Sequence, residues 1–252
     1  MDQVTLRFSP DLDDFLPPDR RGRAFTVAVA NPRSVKDLVE ALGVPHTEAG
    51  AILVNGASVP FSHPVRAGDE IAVFSPAAPP DLPDHAPLIR LQPVPPAPRF
   101  VLDVHLGRLA AYLRMLGFDT LYSNDCDDDV LAAISAHERR ILLSRDIGLL
   151  KRGNVCYGAF VHATAPEAQL VEISRRFDLA ATLDPFARCI RCNGPLVPVP
   201  RADILDRLPL RVREQYDEFR RCASCDQVYW RGTHFQRMAR LVERLRQSTG
   251  NT

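Results

Sequence analysis

Short runs of alternating apolar and polar residues fill the first third of the chain. VTLRF (4–8) and FTVAV (25–29) each read as a strand. Residues 34–42 carry a helical pattern, with Ser34 and Asp37 spaced as a capping box and Gly43 as the stop. AILVNG (51–56) ends in the Asn-Gly pair of a tight hairpin, and GDEIAVF (68–74) is a last strand. The predicted order is ββαββ.

Residues 75–99 hold nine prolines, among them Pro79-Pro80 and Pro95-Pro96. Such density removes amide donors and favours stiff, extended chain, so 76–99 reads as a linker. From Phe100 the periodicity changes. FVLDV is a strand, and Leu106, Leu109, Leu113 and Leu116 then recur at helical steps until Gly117. DTLYS (119–123) is a second strand, followed by the acidic loop NDCDDD and the helix VLAAISAHE. RRILLS (139–144) is a third strand, leading into a short helix within RDIGLLKRG. CYGAFVHA (156–163) is a fourth, followed by the helix EAQLVEISRRF. Strand and helix in alternation imply an α/β domain built on a parallel sheet.

The acids of this region fall at the ends of its strands. Asp103 follows the first, Asp125 to Asp129 the second and Asp146 the third. Each alone is a good helix N-cap. Together they read differently, because the carboxyl ends of parallel strands share one edge of the sheet. Carboxylates gathered there repel one another unless a cation joins them, and hard oxygen donors suit Mg²⁺ or Mn²⁺. Such a site matches metal-assisted hydrolysis of phosphodiesters. Arg145, Arg108, Lys151 and Arg152 stand close by in sequence, either to steer a phosphate or as solvated surface charges.

RCIRCNGPL supplies Cys189 and Cys192, and RCASCDQVYW supplies Cys222 and Cys225. Two CxxC knuckles about thirty residues apart predict a structural four-thiolate zinc site, with no open position for catalysis. Gly194 is expected at the tight turn after the first knuckle. Cys126 and Cys156 are left without a role. In the stretch after the second knuckle, Tyr229, Trp230 and Phe235 interleave with Arg231 and Arg237. Those side chains suit stacking on bases and gripping phosphates, or, for the aromatics, packing the ribbon. His234 is a candidate general acid or substrate contact, or a structural histidine.

Composition narrows the class. At 252 residues and 46% hydrophobic the chain is long enough for two domains with sizeable cores. No apolar stretch approaches the ~20 residues that span a bilayer. The acidic start, MDQVTLRFSPDLDD, lacks a signal-peptide core, so a cytoplasmic location without membrane contact is expected. Six cysteines there suggest metal ligands rather than disulfides. The net charge of zero is uneven: residues 187–252 carry 13 Lys and Arg against 7 Asp and Glu, whereas 1–99 and 100–186 each carry 9 against 12. A basic tail beside an acidic middle fits a polyanion-holding module beside a cation-holding one. Lys36 and Lys151 are the only lysines, so nearly all positive charge is arginine, which suits phosphate and equally follows from a GC-rich genome.

Two resemblances follow. The ββαββ segment resembles the β-grasp fold of ubiquitin-like sulfur carriers, but its last strand runs into SPAAPP instead of a Gly-Gly tail, which leaves carrier chemistry no place and points to a binding or positioning module, for which a protein is a candidate partner. FVLDVHLGRLAAYLRMLGFDT, DDDVL, ILLSRDIGLLKR, RCIRCNG and CASCDQVYWRGTHFQRM, in that order, resemble the Mut7-C family, a PIN-like ribonuclease domain with a zinc ribbon attached. Some bacterial members carry a ubiquitin-like domain ahead of it. The resemblance implies four segments: a β-grasp domain (1–75), the linker (76–99), a PIN-like parallel-sheet α/β nuclease domain (100–186), and a zinc ribbon with a C-terminal helix (187–252). It implies Mg- or Mn-dependent RNA hydrolysis, leaving 5′-phosphate and 3′-hydroxyl ends, with Asp103, Asp128 and Asp146 as ligands. Asp129 is the alternative at the second position, Asp125 an outer candidate, and Arg145 assists. Single-stranded RNA would be held by Arg108, Lys151, Tyr229 and Arg231. Where the family has Arg-Trp this chain has Ala111-Tyr112, and where it has Thr-Arg-Asp this chain keeps the hydroxyl as Ser144. A non-catalytic RNA-binding adaptor is the alternative, and a sulfur-carrier-like scaffold a further one.

Overall fold

A computed structural model describes residues 3–29, 31–82 and 86–232. In chain order the elements are β1 (Gln3–Phe8), β2 (Phe25–Ala28), α1 (Val35–Ala41), β3 (Ala51–Val54), β4 (Ala57–Ser58) and β5 (Glu70–Phe74). Next come β6 (Phe100–Leu102), α2 (Gly107–Met115), β7 (Thr120–Tyr122), α3 (Asp128–Glu138), β8 (Ile141–Ser144), α4 (Ile147–Leu150), β9 (Gly158–Phe160) and α5 (Pro166–Arg176). The last are β10 (Leu196–Pro198), α6 (Leu210–Gln215), β11 (Phe219–Cys222) and β12 (Val228–Trp230). The chain divides into two compact units, Met1–Pro96 with Asp127–Phe160, and Ala97–Cys126 with Val161–Thr252. The expected C-terminal helix, with His234, Phe235 and Arg237, lies outside the described residues.

In the first unit a five-stranded sheet runs β2-β1-β5-β3-β4. The pair β1 and β5 is parallel, and the remaining pairs are antiparallel, which is the β-grasp arrangement that ββαββ implied. The capping box forms as predicted: Asp37 N–H donates to Ser34 Oγ at 3.2 Å and Ser34 N–H to Asp37 Oδ2 at 3.3 Å. Val35, Leu38 and Val39 of α1 enter the core beside Leu6, Ile52, Ile71 and Val73. Leu12 and Phe15, in a 3-10 turn within a stretch left unassigned by periodicity, close that core. Asn55 and Gly56 take φ of +52° and +80°, the left-handed pair of a primed hairpin turn. Part of the proline-rich stretch is fastened here: Leu91 N–H donates to the Gly50 carbonyl at 2.9 Å and Ile89 N–H to Ser58 Oγ at 3.0 Å.

The same unit contains the parallel pair β8 and β9 with α3 and α4. The turn His46–Glu48 lies against β9 and the loop before it. Glu48 Oε1 accepts from Phe160 N–H at 2.7 Å, and Phe15 meets the Phe160 ring edge-on at 5.4 Å. Gly158 permits this approach, since a Cβ there would lie 2.9 Å from Leu150 Cδ2 and 3.1 Å from Thr47 Cγ2. Helix α3 begins at Asp128, two residues earlier than the apolar pattern indicated, because acids are favoured in the first turn of a helix.

In the second unit β6 and β7 pair in parallel, and α2 packs against α5. The predicted stripe of Leu106, Leu109, Leu113 and Leu116 is buried. Gly117, at φ +100°, ends the helical segment where a Cβ would lie 2.2 Å from the Asp184 carbonyl oxygen. The expected strand 156–163 is shorter because His162 and Ala163 give their N–H groups to Glu172 of α5 at 2.9 Å each. The antiparallel sheet β10-β11-β12 forms the ribbon. Val199, Ile204, Leu208, Phe219 and Val228 give it a small core.

No helix among the described residues is long and apolar enough to cross a membrane.

Candidate functional site

The four knuckle cysteines converge. One sulfur from each lies within 4.8 Å of all the others, with Cys189 and Cys225 at 3.6 Å and Cys192 and Cys222 at 3.4 Å. Four thiolates at about 2.3 Å from a central zinc would stand about 3.8 Å apart, so the cluster fits a tetrahedral ion. The left-handed residues of the two knuckles are Asn193 (φ +68°) and Asp226 (φ +61°), each directly after the second cysteine. Gly194 was expected to make the first turn. Its role is room: a Cβ there would sit 2.9 Å from Cys222 Sγ and 2.5 Å from Ser224 Oγ.

The thiols compete for charge. Burial followed by the neighbouring sulfurs pushes Cys192 up to about 12. At Cys222 burial also acts upward, but the N–H groups of Cys225 and Ser224, each 3.4 Å from its sulfur, help to bring it down to about 7. A bound divalent cation removes this competition by holding every sulfur as thiolate.

Three side chains hold the cluster in place: Arg114 and Asn193, which the sequence did not single out, and Tyr229, which it offered as an RNA contact. Arg114, buried on α2, donates from Nε to the Thr120 carbonyl at 2.9 Å and from Nη1 to the carbonyls of Ile190 and Arg191 at 3.2 Å each. Burial lowers its pKa, against the upward pull of Cys189, Cys192 and Asp119. Asn193 ties the first knuckle to β7, donating to Asp119 Oδ1 at 2.7 Å and accepting from Thr120 N–H at 3.0 Å. The Tyr229 hydroxyl lies 3.0 Å from Cys189 Sγ, and burial, then that contact, raise the phenol above its usual range. Arg114 had one visible signal, an arginine directly beside the buried Leu113 position of an amphipathic helix.

The acids are held locally. Asp103, at the end of β6 in the second unit, is 6% exposed, and its Oδ1 accepts from Val104 N–H at 2.6 Å. Asp125, also in that unit, accepts from the Ser123 hydroxyl. The remaining acids belong to the first unit. Asp146 caps α4 through Oδ1, which accepts from Gly148 and Leu149 N–H at 2.6 and 3.3 Å. Its own N–H donates to the buried Ser144 Oγ at 2.8 Å, so the hydroxyl kept at position 144 shapes the turn that presents Asp146. Asp128 and Asp129 open α3, and Arg152 pairs with both, with Asp128 at 3.7 Å.

Arg145 is exposed between Ser144 and Asp146. Lys151 gives its ammonium to the Glu40 carbonyl at 2.8 Å, at the carboxyl end of α1, where a cation offsets the helix dipole. Burial lowers its pKa. Arg108 is exposed and borders a hollow of about 510 Å³ with His105, Tyr122 and Asn124. Arg231 pairs with Glu218 at 3.1 Å, and Trp230 packs against the ribbon core.

Comparison with protein families now decides the assignment. A model described as the Mut7-C RNAse domain matches residues 98–242. The chain belongs to the Mut7-C family. A second model, Mut7-C ubiquitin, matches residues 1–80 and accounts for the β-grasp sheet. No curated protein and no solved structure matches the chain. Family membership supports a nuclease-type function, with a four-cysteine group able to hold a metal.

Proposed function

We propose that this Mut7-C protein is a metal-dependent ribonuclease that hydrolyses single-stranded RNA in the cytoplasm. The observation that carries the reading is the match of the RNAse domain over residues 98–242, which spans every acid and cysteine invoked. Asp103, Asp128 and Asp146 would hold Mg²⁺ or Mn²⁺, with Asp129 as the alternative to Asp128. Their oxygens are the hard donors such ions prefer. When bound, the ion supplies an activated water and offsets charge on the phosphate oxygens.

The chain's own residues do the rest. The N–H groups of Gly148 and Leu149 orient the Asp146 carboxylate, and the Ser144 hydroxyl holds the Asp146 backbone N–H. Arg145 and Arg108 attract the phosphodiester. Cys189, Cys192, Cys222 and Cys225 hold structural zinc, and the ribbon grips the RNA strand, with Tyr229 and Arg231 on its surface. The expected domain limits, 1–75, 76–99, 100–186 and 187–252, remain part of this proposal.

One observation favours a second reading, an RNA-binding adaptor without turnover: Arg152 already pairs with Asp128 and Asp129. Purified protein given Mn²⁺ and single-stranded RNA separates the two. Degradation that Asp146→Asn abolishes supports the nuclease, whereas a gel shift without degradation supports the adaptor.

A further inference from the structure

The ribbon sheet has two ends. The thiol knuckles occupy one, and the other, where β10 and β12 finish and β11 begins, holds a cavity of about 530 Å³. Small-ligand sites span ~300–1,000 Å³. Its walls include Phe186, Phe219, Tyr229 and Trp230. Phe186 holds φ at +69°, a conformation that a bulky side chain rarely adopts. It is kept there from both sides: its N–H donates to the Met115 carbonyl at 3.2 Å, and its carbonyl accepts from Arg220 Nη1 at 3.1 Å. Gly232 lets the chain pass against the indole, since a Cβ there would lie 2.8 Å from Trp230 Nε1.

The rim carries both signs of charge, Arg220 and Arg231 with Asp217 and Glu218; Arg231 pairs with Glu218 at 3.1 Å and Arg201 with Asp217 at 3.3 Å, so an incoming guanine has to take these carboxylates from their exposed arginine partners. Aromatic faces beside arginine are the combination that stacks a base and holds its phosphate. Carboxylates add a requirement, because they only accept hydrogen bonds. Guanine alone among the RNA bases sets a ring N–H beside an amino group on one edge. Adenine and cytosine put an acceptor next to the amino group, and uracil offers a single donor. The geometry points to a guanine site: the ribbon takes a guanine of single-stranded RNA into this cavity, with Asp217 and Glu218 reading its donor edge and the arginines holding the adjoining phosphates. The inference rests on the proposal that the ribbon binds RNA, and adds which base it selects.

Trp230 is the only tryptophan in the chain, so its emission reports on this cavity directly. The full chain, without added Mn²⁺, is titrated with the RNA pentamers UUGUU and UUUUU and with GMP and UMP. UUGUU should saturate the signal at least about tenfold below UUUUU. GMP should be preferred to UMP yet bind more weakly than UUGUU, because the mononucleotide lacks the flanking phosphates. Replacing the exposed pair by Asp217→Asn and Glu218→Gln should bring UUGUU and UUUUU to equal affinity, with both pentamers bound at least as tightly as UUUUU is by the parent because Arg231 is freed from Glu218. Equal binding of both pentamers, no saturable change, or a preference that survives the double substitution overturns the guanine site. GMP binding as tightly as UUGUU overturns RNA as its source. Cleavage of polyuridine with Mn²⁺, run in parallel, separates the two proposals: cleavage without any tryptophan response sinks the guanine site alone, and a guanine-selective response without cleavage of any RNA sinks the ribonuclease alone.

Discussion

His46 and Val155, 109 residues apart in sequence, are joined by a hydrogen bond of 2.7 Å from the imidazole Nε2 to the carbonyl oxygen. The other ring nitrogen faces Glu40 Oε1 at 2.6 Å, and the imidazole is 4% exposed. The ring thus meets a buried carbonyl and a half-buried carboxylate, within a unit that combines the β-grasp sheet with Asp127–Phe160. His46→Ala should lower stability by about 1–3 kcal/mol, the cost of leaving the buried Val155 carbonyl without a donor. Urea denaturation checks this, and an unchanged midpoint would remove the bond from any account of how this unit holds together.

The Tyr229 hydroxyl acts on the thiol cluster through Cys189, and contacts of that kind typically change metal affinity by about 10–100-fold. Tyr229→Phe keeps the ring and removes the bond. Zinc release to a chromogenic chelator should become easier by that factor, with the ribbon still folded when loaded. Full removal of the metal should expose four additional thiols to a thiol reagent and make the ribbon sensitive to protease. A chain that keeps both protections after chelation would show that the cluster folds without an ion.

Much of this architecture was legible because it is local. Ser34-Asp37 and Asn55-Gly56 work through backbone geometry within a few residues, so the sequence alone identifies the cap and the hairpin. The knuckles were legible for the same reason. Lys151 was not: its phosphate-facing reading came from its place a few residues after Asp146, whereas the Glu40 carbonyl that its ammonium meets lies 111 residues away. Arg114 was hidden differently, since burying an arginine becomes affordable only once carbonyls from a distant knuckle surround it. The start of α3 was misjudged because the acids at 128 and 129 resembled a loop while serving as its first turn.

Asp146 has two separable tasks, capping α4 and, in the proposed mechanism, holding the cation. Asn retains an oxygen that can accept from Gly148 and Leu149 N–H, whereas Ala does not. Asp146→Asn should therefore melt close to the parent protein yet lose more than about 99% of Mn²⁺-dependent RNA cleavage. Asp146→Ala should lose the same activity and about 1 kcal/mol of stability besides. Cleavage that survives in Asp146→Asn at the parent rate would assign the activity elsewhere.

Arg152 sets the most direct contest between the two functional readings. Its guanidinium pairs with Asp128 and Asp129 where α3 begins, so a cation bound by either acid has to compete with it. Arg152→Ala removes the competitor. The pairs are partly exposed, so stability should change by less than about 1 kcal/mol. In the nuclease reading the Mn²⁺ concentration for half-maximal cleavage should fall by several-fold, while Arg152→Lys, still cationic, stays near the parent. The adaptor reading predicts no cleavage in any of the three proteins. Should Arg152→Ala need more Mn²⁺ instead of less, the arginine would be supporting the substrate phosphate, and Asp128 and Asp129 would lose their place among the ligands.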